Sequence, residues 1–376
     1  MGSMPVPEGE KVTSWPQQSP ALFQGDLRAT KGWRSPDRLP EPLYVVVPIF
    51  NAWRWKSRWK HSARAIKHFM ESGAVVYIVE AAFGDREHAM NDMAPHKLLA
   101  NTPPIADVLS PTCRHEDPYR GLHRYIPLRT RTEAWIKENL INVGVSFLPR
   151  DWQYVAWLDA DLLFSRSNWV GEALHLLQHY AIIQMFSHAQ DLGPDYTVIA
   201  QRPGFVWAYE KDLPLNDPYY YPSRGLGAWS GLAWACRRDA WDALGGLPDY
   251  AIHGGCDFHI AHALIGKVER SIRKDIDTSY RERFKAWEGR AERYIRRNVG
   301  CMTGTVQHAW HGKKVNRHYG DRHKLLAETK FNPNTDLKYD SNGLIQLVDD
   351  GTERFIRLRD GLRRYALERN EDSIDV

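Results

Sequence analysis

Long apolar runs are absent from this chain of 376 residues. None approaches the roughly 20 consecutive apolar residues that a membrane helix needs, so no membrane insertion is expected. Cysteine is scarce. The four, Cys113, Cys236, Cys256 and Cys301, lie far apart and form no Cys-x-x-Cys pair. That spacing argues against a disulfide scaffold and a cysteine-built zinc site, and it suits a reducing cytoplasm. The opening Met1-Gly2-Ser3-Met4 reads as an added leader ahead of a native start and carries no apolar signal core. Strong charge of one sign is missing as well: a net charge of +4 is too small to announce nucleic-acid binding by itself.

What remains is an ordinary globular composition, 43% hydrophobic and 26% charged, with no internal repeat. The length suits one large α/β domain with additions, or two domains. The 15 Trp and 17 Tyr can supply stacking surfaces for bases or sugar faces besides filling a core.

Residues 1–41, rich in Pro, Ser, Gly and charge, read as an irregular arm. Leu43 to Pro48 is a β-branched buried strand, and 56–72 has helical spacing with Ala63, Ile66, Phe69 and Met70 on one face. Ala74 to Val79 is a second buried strand, ended by Glu80. This βαβ opening predicts a parallel sheet covered by helices. Further on the pattern predicts a short strand at 125–128, helices over 132–147 and 168–180, and a strand at 181–186. A long Pro-, Tyr- and Gly-rich loop follows over 193–228, then a strand from Ser230 to Cys236. Helices are expected at 238–244, 258–266, 320–330 and 352–369.

The most informative stretch is Trp157-Leu158-Asp159-Ala160-Asp161, at the end of the apolar run that begins at Tyr154. Side chains two apart on a strand point the same way, so both carboxylates can converge on one hard cation. Hydrolases, nucleotidyltransferases and glycosyltransferases all use such a pair on phosphate esters. A solvated turn also accounts for the pair when it is taken alone. In open α/β sheets ligands gather at the carboxyl ends of strands. Pro48-Ile49-Phe50-Asn51 and Glu80 fall there too, with Glu80 a candidate to accept hydrogen bonds from a base or ribose.

The ordered set of these motifs resembles glycosyltransferases of the GT-A fold, over roughly residues 43–315. The set is completed by the segment from Gly231 through Gly245-Gly246-Leu247, a small-residue strand running into a helix, and by Gly254-Gly255-Cys256-Asp257. The resemblance implies a Rossmann-like, mostly parallel α/β sheet flanked by helices. Its nucleotide-sugar half would be 42–165 and its acceptor half 166–318, followed by a helical C-terminal extension, 319–376. It implies transfer of a sugar from a nucleotide-sugar, a UDP-sugar by expectation, to an acceptor hydroxyl with Mn²⁺ or Mg²⁺. Asp257 would be the base of an inverting reaction. Here the sequence departs from the family, which usually has consecutive acidic residues in that loop, whereas Cys256 and Phe258 flank Asp257. Asp161, with a late histidine, His308 or His311, would hold the metal. Asp159 would bind sugar or ribose hydroxyls or reach the metal through water. Pro48, Phe50 and Asn51 would line the nucleotide, and Lys313 and Arg317, in a basic strip after His311, would neutralise the leaving diphosphate. A two-histidine zinc site is the rival for 308–311, but further zinc ligands at suitable spacing are missing.

The acceptor has two readings. Trp207, Tyr219, Tyr220, Tyr221 and Trp229 suit a saccharide. Arg270, Arg273, Lys274, Arg281, Arg283, Lys285, Arg290, Arg293, Arg296 and Arg297, with a basic stretch at 54–68, favour double-stranded DNA carrying hydroxymethylated bases, as in phage DNA glycosyltransferases. A phage enzyme of that kind would work in the host cytoplasm. A metal-dependent nuclease or nucleotidyltransferase would need another carboxylate on a neighbouring strand, and a non-catalytic nucleotide-sugar binder would not need Asp257.

Overall fold

A computed structural model describes residues 41–88, 123–215, 227–319 and 322–375. Residues 1–40 of the expected arm, Cys113 and the aromatic run Tyr219–Tyr221 lie outside the described residues. In chain order the first elements are β1 (Leu43–Phe50), α1 (Lys56–Glu71), β2 (Val75–Phe83), β3 (Arg124–Thr130), α2 (Lys137–Ser146), β4 (Tyr154–Leu158), β5 (Leu162–Phe164) and α3 (Trp169–Leu176). Then come β6 (Ile182–Gln184), β7 (His188–Leu192), β8 (Val198–Pro203), α4 (Phe205–Glu210), β9 (Ala233–Arg237), α5 (Arg238–Leu244), α6 (Cys256–Leu264) and α7 (Thr278–Arg290). The last are β10 (Val299–Cys301), β11 (Thr305–His308), α8 (Lys324–Glu328), β12 (Leu337–Tyr339), β13 (Ile345–Leu347) and α9 (Glu353–Glu368).

The main sheet has seven strands in the order β10-β6-β9-β4-β1-β2-β3. β1 runs parallel to both β2 and β4, and β2 parallel to β3, while β9 runs antiparallel to β4 and β6. The architecture is therefore a mostly parallel α/β sheet flanked by helices. Both faces of β1 are covered, which explains its unbroken apolar run. Tyr44 and Val46 face one core with Leu140 and Ile141 of α2; Val45, Val47 and Ile49 face the other with Ile66 and Phe69 of α1. The chain leaves β1 for β2 and β3 on one side and returns to β4 on the other. The carboxyl ends of β1 and β4 thus flank the point where strand order reverses.

A smaller sheet, β5-β11-β7-β8, lies beyond β4 in the chain. β11 pairs antiparallel with β5, which sets His308 opposite Leu162, and parallel with β7, which sets His308 opposite Asp191.

The structure corrects several expectations. β2 continues to Phe83, so Glu80 lies inside the strand instead of ending it. The described part of 193–228 holds β8 and α4 where a loop was expected. The helix of 132–147 begins at Lys137, because Trp135 is drawn into a loop contact by its backbone N–H to the Ile252 carbonyl, 2.8 Å. The C-terminal extension is not wholly helical, since β12 and β13 form a hairpin in it.

Candidate active site

A cavity of about 140 Å³ opens at the carboxyl ends of β1 and β4. Pro48, Phe50 and Asn51 from β1 and the loop after it, and Asp159 and Asp161 from the turn after β4, line it together with Asp257, His308, His311 and Arg317. These residues were picked from five separate stretches of sequence, and the fold brings them into one space.

The two aspartates do not act as a strand pair. β4 ends at Leu158, and both sit in the turn before β5. Asp161 faces the histidines: its Oδ2 is 3.7 Å from His308 Nε2 and 3.3 Å from His311 Nε2. These three side chains form a group whose ligand atoms all lie within 4.8 Å of one another. Asp159 is not in that group and instead pairs with Lys137. The strand-alternation argument put both carboxylates on one cation; the turn sends them to different partners.

The local backbone explains the grouping. The Ala309 N–H donates to the Asp161 carbonyl at 3.0 Å, which ties the turn after β11 to the turn after β4. On its far side His308 Nδ1 lies 3.0 Å from Asp191 Oδ1, so the Nδ1–H donates to the carboxylate and leaves Nε2 as a lone pair facing Asp161. His311 Nε2 is 2.9 Å from His308 Nε2. Burial holds the His311 imidazole down, to about 3, with Arg317 adding to the effect, so it is neutral and can offer a lone pair. Asp161 Oδ1 is buried without a hydrogen-bond partner. Burial pushes Asp161 up, but His308, His311 and Arg58 beside it hold it at about 2. Two imidazole nitrogens and a carboxylate with an unpartnered buried oxygen suit a divalent cation.

Asp257 lies in the first turn of α6, just after Gly254 and Gly255, both with positive φ. It is not the helix N-cap, a position held by Gly255. Its carboxylate lies over Gly231, where a Cβ would stand 2.1 Å from Asp257 Oδ2. Any side chain at 231 would displace the acid, so this glycine is required by close approach. Between Asp257 and Asp159 stand Lys137 and Glu138, the first residues of α2, which also line the cavity. Burial lowers Lys137, but Asp159, then Asp257 and Glu138, raise it above its ordinary range. Burial drives Glu138 up, Lys137 opposes and Asp257 adds, to about 8. Lys137 is thus a buried cation and Glu138 mostly a neutral acid at pH 7.

Arginines line the cavity too: Arg58, Arg317, Arg322 and Arg369. Arg317 is buried, donates to the Tyr319 hydroxyl at 3.0 Å, and leaves its Nε without a partner. Buried guanidinium with an open donor is a receptor for an anion such as a phosphate. Lys313 does not line the cavity, and Lys314 beside it pairs with Asp191. An aromatic recess adjoins, lined by Phe50, Trp53, Phe83, Trp135 and Tyr365, with Phe50 and Trp135 edge-on at 5.0 Å. The Asn51 amide is spent in the loop, exchanging two 2.9 Å hydrogen bonds with the Trp55 backbone. Glu80 is buried, accepts from the Tyr125 hydroxyl at 2.7 Å and lines neither space.

Of the aromatic acceptor candidates, Trp229 lines the cavity, edge-on to His308 at 5.5 Å. Trp207 lies elsewhere, against His188 at 5.6 Å. No residue of the basic stretch 270–297 lines the cavity. Three of its charges are ion-paired, Arg273 with Asp275 at 2.6 Å and Arg281 and Lys285 with Glu269 at 3.7 and 2.5 Å, and Arg290 donates to the Leu244 carbonyl at 2.8 Å. Within 54–68, Arg58 lines the cavity while Arg54 and Arg64 lie over Trp59 and Tyr196. Sequence reasoning missed Lys137, Glu138, Asp191, Arg369 and Glu371. The buried Asp191 in the alternating strand β7 was the one with a readable signal.

No protein-family model and no curated protein matches the chain. Among solved structures it is similar to the catalytic domain of Drosophila beta1,4-galactosyltransferase 7 in complex with xylobiose, at 14% identity over 59% of this chain and 60% of that one, TM-score 0.27. It is similar to S. aureus TarS at 11% identity over 88% of this chain and 54% of that one, TM-score 0.36. It is also similar to the galactosyltransferase LgtC in complex with donor and acceptor sugar analogs, at 12% identity over 76% and 96%, TM-score 0.29. The chain thus spans little more than half the length of the first two. Overlaps at this level do not fix a chemistry; the side chains of the cavity have to.

Proposed function

We propose that this chain is a divalent-cation-dependent glycosyltransferase that moves a sugar from a nucleoside-diphosphate sugar, a UDP-sugar by preference, to a saccharide hydroxyl. One observation carries the reading. The group Asp161, His308 and His311, the buried Arg317 with an open donor, and the carboxylate of Asp257 all face one cavity. A metal-dependent nuclease or nucleotidyltransferase would bring a further carboxylate to the cation, and among the described residues the group contains one carboxylate.

Asp161, His308 and His311 would hold the cation. Two of the three ligands are imidazoles, which favours Mn²⁺ over Mg²⁺. The bound cation would supply neutralising charge to the diphosphate oxygens as the sugar–phosphate bond breaks. Arg317 and Arg58 lie on the same side of the cavity to take up the negative charge left on the nucleoside diphosphate. The adjoining aromatic recess suits the nucleoside, with rings for the base to stack on. Asp159, fixed by Lys137, is placed to accept hydrogen bonds from hydroxyls of the transferred sugar. Asp257 takes the proton of the acceptor hydroxyl as that oxygen attacks the anomeric carbon, which is inverted in a single displacement. Lys137 holds Asp159 by an ion pair. Trp229 lines the cavity on the way to the acceptor.

A saccharide is favoured over duplex DNA because no residue of the basic stretch 270–297 lines the cavity, and Arg273, Arg281 and Lys285 within it are ion-paired. The test is a donor screen by thermal shift with Mn²⁺, followed by mass spectrometry of candidate acceptors. A nucleotide-sugar should raise Tm, and Asp257→Asn should keep that shift while losing at least about 100-fold in turnover. Stabilisation by no nucleotide-sugar would defeat the reading. Glycosylation of hydroxymethylated DNA, with saccharides inert, would restore the other acceptor.

A further inference from the structure

The last turn of the chain reaches into the cavity wall. Glu371 is 1% exposed and sits between two guanidiniums. Arg58 contacts it through both Nε and Nη2, the latter at 2.9 Å, and Arg369 Nε donates to it at 2.5 Å. Both arginines line the cavity. The neighbours of Glu371 are pinned as well. Asp372 accepts from the Lys56 and Ser57 N–H groups at the start of α1, at 3.0 and 2.7 Å, and the Ser373 carbonyl accepts from Trp310 Nε1 at 2.6 Å. Residues 369–373 therefore bridge α1, which carries Arg58, and the turn after β11, which carries His311.

That crossing is close. At Gly312, with φ +81°, a Cβ would stand 2.7 Å from the Asn370 carbonyl and 2.9 Å from that of Arg369. The tail passes directly over the turn that follows His311. There Glu371 Oε2 lies 3.9 Å from His311 Nδ1, a buried nitrogen with no hydrogen-bond partner. His308 presents the completed version of the same arrangement, its Nδ1 held by Asp191 at 3.0 Å.

We infer that Glu371 is a positioning residue for the cation site, the counterpart for His311 of what Asp191 is for His308. This deepens the proposed function and rests on it. For His311 Nε2 to offer its lone pair, Nδ1 must carry the proton, and a buried N–H needs an acceptor. Glu371 is the carboxylate aimed at it. By holding Arg58 and Arg369 with the same two oxygens, it also couples the cation ligand to the phosphate-facing guanidiniums. Carboxylates behind metal-bound imidazoles fix ring orientation and raise ligand basicity, and their loss costs about 10–100-fold in metal affinity.

The test uses Co²⁺ with the full-length protein, read by visible absorption and by its Kd. In the wild type, Co²⁺ is expected to bind and give ligand-field bands. Glu371→Gln is expected to weaken Co²⁺ by about 10-fold or more and to shift those bands. Glu371→Asp keeps the charge between Arg58 and Arg369 but withdraws the carboxylate from His311, and is expected to give the same shift with a severalfold loss. If Glu371→Gln fails to fold, Glu371→Asp decides. Wild-type affinity and an unchanged spectrum in the folded variants would overturn the inference while leaving the cation site standing. Failure of the wild type to bind Co²⁺ would remove the site itself, and the inference with it.

Discussion

His308 and His311 are buried as deeply as His253, His259, His262 and His323. The first two converge with Asp161 and are backed by Asp191 and Glu371. The second group meets other chemistry. His259 Nδ1 lies 2.9 Å from Ser271 Oγ, and His262 and His323 bond the Phe258 and Gly254 carbonyls at 2.9 and 2.7 Å. Rings fill the rest: His253 against Tyr365 at 4.3 Å, His259 against Phe284 at 4.6 Å, His262 against Phe258 at 4.3 Å. Burial keeps His311 neutral in the first group, and all four imidazoles of the second. What turns neutral imidazoles into a cation site is a carboxylate sharing their open side, with others behind them to fix which nitrogen is free. Without carboxylates, the same residue type is core.

The comparison breaks most sharply at Asp161. Asp161→Asn should lower Mn²⁺ affinity by about 100-fold or more, read by isothermal titration, with little change in Tm. Next in size is His259→Ala. It should cost about 2–4 kcal/mol in denaturant unfolding by opening a space among Tyr280 and Phe284, and leave Mn²⁺ affinity alone. The opposite pattern in either variant would erase the distinction between the two groups.

A third prediction concerns pH. Burial, the leading cause in each case, lowers His262 to about 4 and His323 to about 3, and holds His253 and His259 well below 6.5. Unfolded, each takes up a proton near 6.5; folded, each stays neutral. Below 6.5 the unfolded chain binds more protons, so stability should fall as pH drops from 6.5 toward 4, by up to about 1.4 kcal/mol per pH unit for each group. Tm against pH measures this, and His262→Phe should flatten the slope. The substitution that should move Tm least at pH 6 is at Glu138. Its pKa is raised, to about 8, so the folded chain holds an extra proton between about 4.5 and 8 and loses stability as pH rises through that window. Glu138→Gln should remove that fall and change the Tm at pH 6 by little.

Part of this site was legible in the sequence and part was not. The carboxyl ends of β1 and β4 carry their own signals, an apolar run followed by Phe50-Asn51 and by Asp159-Ala160-Asp161. Asp257, His308 and His311 stood out only through the resemblance to the GT-A motifs. Strand alternation alone set Asp159 and Asp161 on one cation, while the resemblance already gave them different roles; the tight turn that holds both, and Lys137 reaching in from α2 to pair with Asp159, were not legible. The supporting acids were hidden by distance along the chain. Asp191 meets His308 across 117 residues and Glu371 meets Arg58 across 313. Such pairs leave no periodicity; only the strand registers and the path of the tail reveal them. In the basic stretch 270–297 a count of charges overstates the free ones, because Asp275 pairs with Arg273 beside it and Glu269 reaches Arg281 and Lys285 on the following helix.

The central claim is that Asp161, His308 and His311 hold a divalent cation. Anomalous scattering from crystals grown with Mn²⁺ and UDP tests it most directly. A manganese peak is expected within about 2.0–2.4 Å of an Asp161 carboxylate oxygen and of both His Nε2 atoms, next to the diphosphate. A diphosphate bound in the cavity with no such peak, or manganese held elsewhere, would contradict it.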